Sequence, residues 1–129
     1  MADEQSKKIL IVDDEAHIRR LIEFTLKKGG FKMLVATNGR EAINLATSDS
    51  PDLIIMDVLM PEMDGVEALD LLKQDARTSS IPVILLTGIG QSTTRREVEE
   101  KGTATYLAKP FSPNKLLREV ERMIEAAGE

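Results

Sequence analysis

Three observations on the 129-residue sequence predict an α/β fold, an open parallel sheet with helices on both faces. Short apolar runs recur five times, and helical patterns lie between them. The first, third and fourth runs are apolar throughout instead of alternating, the pattern of parallel strands covered on both faces. No internal repeat, low-complexity tract or interdomain linker interrupts the alternation, so right-handed crossovers build a single sheet from it.

Strands are expected at 9–12, 33–36, 53–56 and 83–86, with a shorter run at 106–108. After the first, Ile18, Leu21, Ile22, Thr25 and Leu26 fall at helical spacing, and Gly29-Gly30 supplies the stop. Ala42, Ile43 and Ala46 follow Asn38, which with Glu41 three residues later has the spacing of a capping box. Val66, Leu69 and Leu72 follow Asp64 in the same manner. Residues 92–101 are charged, contain no helix breaker and carry one large apolar side chain, Val98. A helix is expected there, loosely held because few buried contacts mean a low local opening free energy. Leu116, Leu117, Val120, Met123, Ile124 and Ala127 outline the last helix, with Ser112 as its cap and Pro113 as its first residue.

The length suits one domain, and a 42% hydrophobic content fills one core. The expected organisation is a flexible segment at 1–6, a domain at 7–127 and a tail at 128–129. Charged residues make up 30% of the chain, and no apolar run approaches the roughly 20 residues that cross a bilayer. The acidic, polar start lacks the apolar stretch of a secretory signal, and the absence of cysteine removes disulfides and thiolate metal sites. A soluble, cytoplasmic protein is expected. Seventeen basic against 22 acidic residues give a net charge of −5, which opposes a grip on nucleic acid by this chain alone.

In open parallel sheets ligands bind beyond the carboxyl ends of the strands, so the residues just after each apolar run carry the information. Here these are Asp13-Asp14, Asp57, Thr87 and Lys109-Pro110. Each has an ordinary structural role available. Asp13 or Asp14 could cap a helix starting at Ala16, Thr87 could bond local backbone, and Lys109 could be a solvated charge. Asp57 is harder to explain away, because no helix starts after it and a charge at the end of a buried strand needs compensation. Three converging carboxylates repel one another unless a cation sits among them, and oxygen ligands suit Mg²⁺ or Mn²⁺.

With those residues in place, Asp13-Asp14, Asp57-x-x-Met60-Pro61-x-Met63-Asp64-Gly65, Thr87 and Lys109-Pro110-Phe111 resemble the response-regulator receiver family of two-component signalling, over about residues 7–127. The resemblance implies a flavodoxin-like (βα)5 three-layer sandwich with strand order 2-1-3-4-5. It implies a phosphoacceptor, Asp57, modified to an aspartyl phosphate with Mg²⁺ (or Mn²⁺) as cofactor. By the same resemblance Asp14 and Asp57 ligate the metal directly, Asp13 does so through water, and the Leu59 backbone carbonyl adds a ligand. Lys109 pairs with Asp57 and then with the phosphoryl group, while Thr87 donates its hydroxyl and is coupled to Tyr106, the lone tyrosine, as a switch. The donor is a histidine kinase or histidine phosphotransfer protein. The output is a downstream protein bound on the face made by the helix at 92–101, the fifth strand and the last helix, by a monomer or a phosphorylation-dependent dimer. Such a protein catalyses its own phosphorylation and dephosphorylation but is no ordinary turnover enzyme. The family also implies a cis bond at Lys109-Pro110. Either a stand-alone receiver or part of a longer regulator is consistent with the chain.

The sequence departs from the family pattern in places. Leu59 is apolar where polar groups can position an attacking water, so a long-lived phosphoryl group is expected. Gly88 and Gly90 loosen the loop after Thr87. His17, the lone histidine, is expected to be an exposed helix residue, since the family's donor histidine lies on a partner. Three alternatives compete. A haloacid-dehalogenase-type phosphatase would want a second acid at position 59, where Leu59 stands. A flavin carrier would want a hydroxyl- and glycine-rich loop where Asp13-Asp14 would repel phosphate, and an interaction-only module would tend to lose the acids or the lysine.

Overall fold

The computed structural model describes residues 6–88 and 104–127. Five strands form one parallel sheet: β1 (Lys8–Val12), β2 (Lys32–Ala36), β3 (Leu53–Asp57), β4 (Val83–Thr87) and β5 (Ala104–Ala108), in the order β2-β1-β3-β4-β5. Four helices are described: α1 (Ala16–Lys27), α2 (Gly39–Asp49), α3 (Gly65–Gln74) and α4 (Pro113–Ala127). The helix expected at 92–101 lies outside the described residues, as do Gly90 and the two ends of the chain. Among the described residues no helix is long and apolar enough to cross a membrane.

The uniformly apolar runs divide by residue parity between two cores. Leu10, Val12, Ile54, Met56, Val83 and Leu85 pack with Ala42 and Ala46 of α2 and Ala68, Leu69 and Leu72 of α3. Ile9, Ile11, Leu53, Ile55, Ile84, Leu86 and Leu107 pack on the other face, with Ile22 and Leu26 of α1 and Leu116, Val120 and Met123 of α4. Successive strand side chains point to opposite faces, so a strand apolar at every position serves both layers. The strands run one or two residues beyond the apolar stretches. Asp57 and Thr87 are therefore the last paired residues of β3 and β4, and β5 starts at Ala104.

Local signals fix the helix ends. Asp64 caps α3 through a complete capping box: its side chain accepts from Glu67 N–H at 2.9 Å, and its own N–H donates to Glu67 Oε1 at 3.4 Å. At α2 only half of the expected box forms. Asn38 Oδ1 accepts from Glu41 N–H at 2.8 Å, but Glu41 reaches one residue further back, accepting from the N–H of Thr37 at 2.7 Å and its hydroxyl at 3.1 Å. Two donors there outbid the single N–H of Asn38. Ser112 Oγ accepts from Lys115 N–H at 3.4 Å at the start of α4. The Gly29-Gly30 stop ends α1, with Gly30 in the left-handed region at φ 78°. Leu21, expected in the buried stripe of α1, is 39% exposed and lies at its edge, and Phe24 is 65% exposed.

Candidate functional site

The parity that sorts the cores also sorts the polar strand ends. Asp13 continues the series Ile9, Ile11; Asp57 continues Leu53, Ile55; Lys109 continues from Leu107. All three belong by alternation to the face covered by α1 and α4. Register then sets them level: Val12 pairs with Met56, which places Asp13 beside Asp57. Lys109 follows β5, its N–H donating to Thr87 O at 2.7 Å. The Lys109-Pro110 peptide is cis, as the family resemblance implies.

The side chains meet there. Lys109 Nζ lies 3.2 Å from Asp57 Oδ1, 3.4 Å from Asp13 Oδ2 and 3.8 Å from Glu15 Oε1. Asp13 and Asp57 are buried, whereas Asp14 is exposed. One carboxylate oxygen from each of Asp13, Asp14 and Asp57 lies within 4.8 Å of the others. Neither acid of the pair caps α1: Glu15 is its N-cap residue, and Asp13 Oδ1 accepts the Glu15 N–H at 2.9 Å. Burial, and next the charge of Asp13, push the Asp57 carboxyl above the ordinary carboxylate range against the opposing pull of Lys109. For Lys109 burial works downward, but Asp57 and Asp13 outweigh it and raise its affinity for the proton. The carboxylates thus carry more negative charge than one ammonium neutralises. An all-oxygen donor set of this kind fits a hard divalent cation.

The backbone around Asp57 is held from two sides. Val58 N–H donates to Leu86 O at 3.0 Å, and Val58 O accepts from Gly65 N–H at 2.8 Å. Leu59 points its side chain to solvent and its N–H toward Asp57 Oδ1 at 3.4 Å. Beyond it, Glu62 occupies the centre of a γ-turn, with φ 71° and Met63 N–H bonded to Pro61 O at 2.8 Å.

Thr87 falls on the other face. It continues the series Val83, Leu85, and Tyr106, level with Leu85, packs half-buried against the same α2/α3 core. Thr87 and Tyr106 are therefore diagonal neighbours on one face of adjacent strands. His17 is mostly exposed, 4.0 Å from Glu15 Oε2. Beside Lys109 lies a shallow apolar recess of about 350 Å³ lined by Ile18, Leu21, Lys109, Pro110 and Phe111.

Asp13, Asp14, Asp57 and Lys109 are brought together as the sequence predicts, with Thr87 one residue beyond the strand partner of Asp57. Sequence reasoning missed Glu15 and Arg19, and it quoted Gly65 within the family motif without giving it a role. Glu15 extends the acidic run but carries no periodic signal, and Arg19 reaches back six residues, past the start of α1, to the Asp13 carbonyl at 2.8 Å. The signal for a role at Gly65 is a glycine at the first helical position, where alanine is the better helix former.

A parallel flavodoxin-like sheet with buried acids and a lysine at its carboxyl edge defines the class of receiver-type domains. The family model for the response regulator receiver domain matches residues 9–121, and the chain belongs to that family. It is 40% identical over 119 residues to the transcriptional regulatory protein SrrA of Staphylococcus aureus, covering 92% of this chain and 48% of that protein. The chain thus spans about half the length of the curated relatives it matches. Among solved structures, the chemotaxis response regulator CheY4 of Vibrio cholerae aligns with TM-score 0.84 and 33% identity over 92% of this chain and 99% of that one. The receiver domain of the sensor histidine kinase PA1611 from Pseudomonas aeruginosa PAO1, with a magnesium ion in its active-site cleft, aligns with TM-score 0.84 and 29% identity over 93% and 98%.

Proposed function

We propose that this receiver domain accepts a phosphoryl group on Asp57 in a Mg²⁺-dependent transfer from a histidine kinase or histidine phosphotransfer protein. The observation that carries the reading is the buried Asp57 carboxylate, paired with Lys109 and crowded by Asp13. A carboxylate whose charge burial disfavours, held beside a cation at the edge of an acid cluster, is the arrangement that functional carboxylates adopt.

Asp13, Asp14 and Asp57 would hold the ion, with the Leu59 carbonyl as a backbone ligand; Mn²⁺ would serve the same donors. Bound Mg²⁺ supplies charge neutralisation for the incoming phosphoryl oxygens. An Asp57 oxygen attacks phosphorus as the bond from phosphorus to the donor imidazole nitrogen breaks, and that nitrogen keeps the electron pair. Lys109, a compact and mobile cation, then exchanges its contact with Asp57 for one with a phosphoryl oxygen. The Thr87 hydroxyl donates to another. Thr87 shares its sheet face with Tyr106, so a move of the hydroxyl toward the phosphoryl group opens room for the ring and alters the surface that a downstream protein reads. The donor protein would dock over the apolar recess of Ile18, Leu21 and Phe111, which lies beside Lys109. A cytoplasmic location fits these partners.

Incubation with acetyl phosphate and Mg²⁺, followed by intact mass, tests the reading. The expected result is one added phosphate, labile to hydroxylamine and absent from Asp57→Asn. Turnover of a small phosphoester with no adduct would instead support a phosphatase, and an unmodified chain would support an interaction-only module.

A further inference from the structure

We infer that Gly65 is a positioning residue for the chemistry at Asp57, an inference that rests on Asp57 being the phosphoacceptor. Gly65 is the first residue of α3 and packs directly behind the nucleophile. A Cβ added there would lie 2.6 Å from the Asp57 carbonyl oxygen and 2.9 Å from Val58 Cα. An ordinary contact begins at 3.4 Å, so the closest of these falls short by about 0.8 Å. Both neighbours are backbone, and no flexible side-chain end is available to give way.

Neither side has slack. Asp57 is paired in the sheet opposite Leu86, and Val58 N–H is tied to Leu86 O at 3.0 Å. On the other side the start of α3 is held to the strand end by Gly65 N–H, which donates to Val58 O at 2.8 Å. The added Cβ therefore strains the segment from Asp57 to Leu59, which carries the nucleophile and the backbone next to the acid cluster. The absence of a side chain at position 65 sets where the reacting carboxylate stands.

Gly39 supplies an internal control. It is also the first residue of its helix, but the three atoms nearest a Cβ there all belong to the Met63 side chain, Sδ at 3.0 Å, Cγ at 3.1 Å and Cβ at 3.2 Å, and an unbranched thioether yields where backbone does not. Both alanine substitutions bring the same gain in helix propensity. The difference between them isolates the contact with Asp57.

The test measures Mg²⁺ affinity by calorimetric titration and labelling rate with acetyl phosphate, on the full chain, for wild type, Gly65→Ala and Gly39→Ala. Misplacement of reacting groups by about 1 Å costs up to about 100-fold, so Gly65→Ala is expected to weaken Mg²⁺ binding and slow labelling by about 10- to 100-fold, with Gly39→Ala within about twofold of wild type. A folded Gly65→Ala chain with wild-type affinity and rate overturns the inference. Should it melt under these conditions, the titrations are repeated for all three chains in trimethylamine N-oxide, which favours the compact state. A chain that folds in neither solution also overturns the inference, since a positioning role requires a folded domain with a displaced site. If wild type itself takes no label, the phosphoacceptor reading fails, and the Mg²⁺ titration still decides the role of Gly65.

Discussion

At the scale of single residues, Asp57 is held where its charge is disfavoured. Burial, and next Asp13, raise its folded-state pKa above the ordinary value of 3.8, with Lys109 opposing. For an acid shifted in this direction the folded state binds more protons than the unfolded one. Its contribution to stability is therefore fully present below the unfolded pKa and is lost as pH rises through the folded value. At neutral pH the ionised carboxylate is a net cost. Asp57→Asn, which keeps the shape and removes the charge, is expected to melt at a higher temperature than wild type at pH 7, with the gap closing as pH falls toward 4. Thermal melts at the two pH values check this, and a lower midpoint for the variant at pH 7 would contradict it. The acids, Thr87 and Lys109 were legible because each ends an apolar run, where a polar residue has few other reasons to stand. Glu15 was not, because a side chain reaching sideways across a strand end to Lys109 leaves no trace in spacing.

At the scale of elements, cap chemistry decides where helices begin. Asp64 closes both halves of its box, so Asp64→Ala removes the cap acceptor of the helix behind Asp57. The expected cost is about 1 kcal/mol, read from urea unfolding with an unchanged slope. The box at Asp64 could be read from residue types alone, but the one at Asn38 could be read only in part. Glutamate is long enough to choose between donors, and the choice depends on where Thr37 places its hydroxyl. Strand ends were read short for a related reason. Backbone pairing continues through Asp57 and Thr87 whatever their side chains, and Ala104 and Thr105 carry too little apolar surface to mark the start of β5.

At the scale of the molecule, one sheet serves two cores, and neither can open without exposing the same five strands. Leu69 lies fully buried under α3, and Leu26 fully buried under α1, on opposite faces. Leu69→Ala and Leu26→Ala are each expected to cost about 2–5 kcal/mol in a single unfolding transition followed by circular dichroism. Two separate transitions would show that the layers come apart independently. The alternation of runs made the parallel sheet legible, but not which strands are neighbours. That order came from family resemblance, because an apolar strand buried on both faces fits beside any other and encodes no partner.

The backbone bond from Lys109 N–H to Thr87 O joins residues belonging to opposite faces of the sheet. The acids and their cation occupy one side, the hydroxyl and the tyrosine the other, and this hydrogen bond is common to both. Each face of the sheet thus keeps its own polar groups, and the two sets meet at the strand ends. A shift of either strand end is thereby felt on both faces at once.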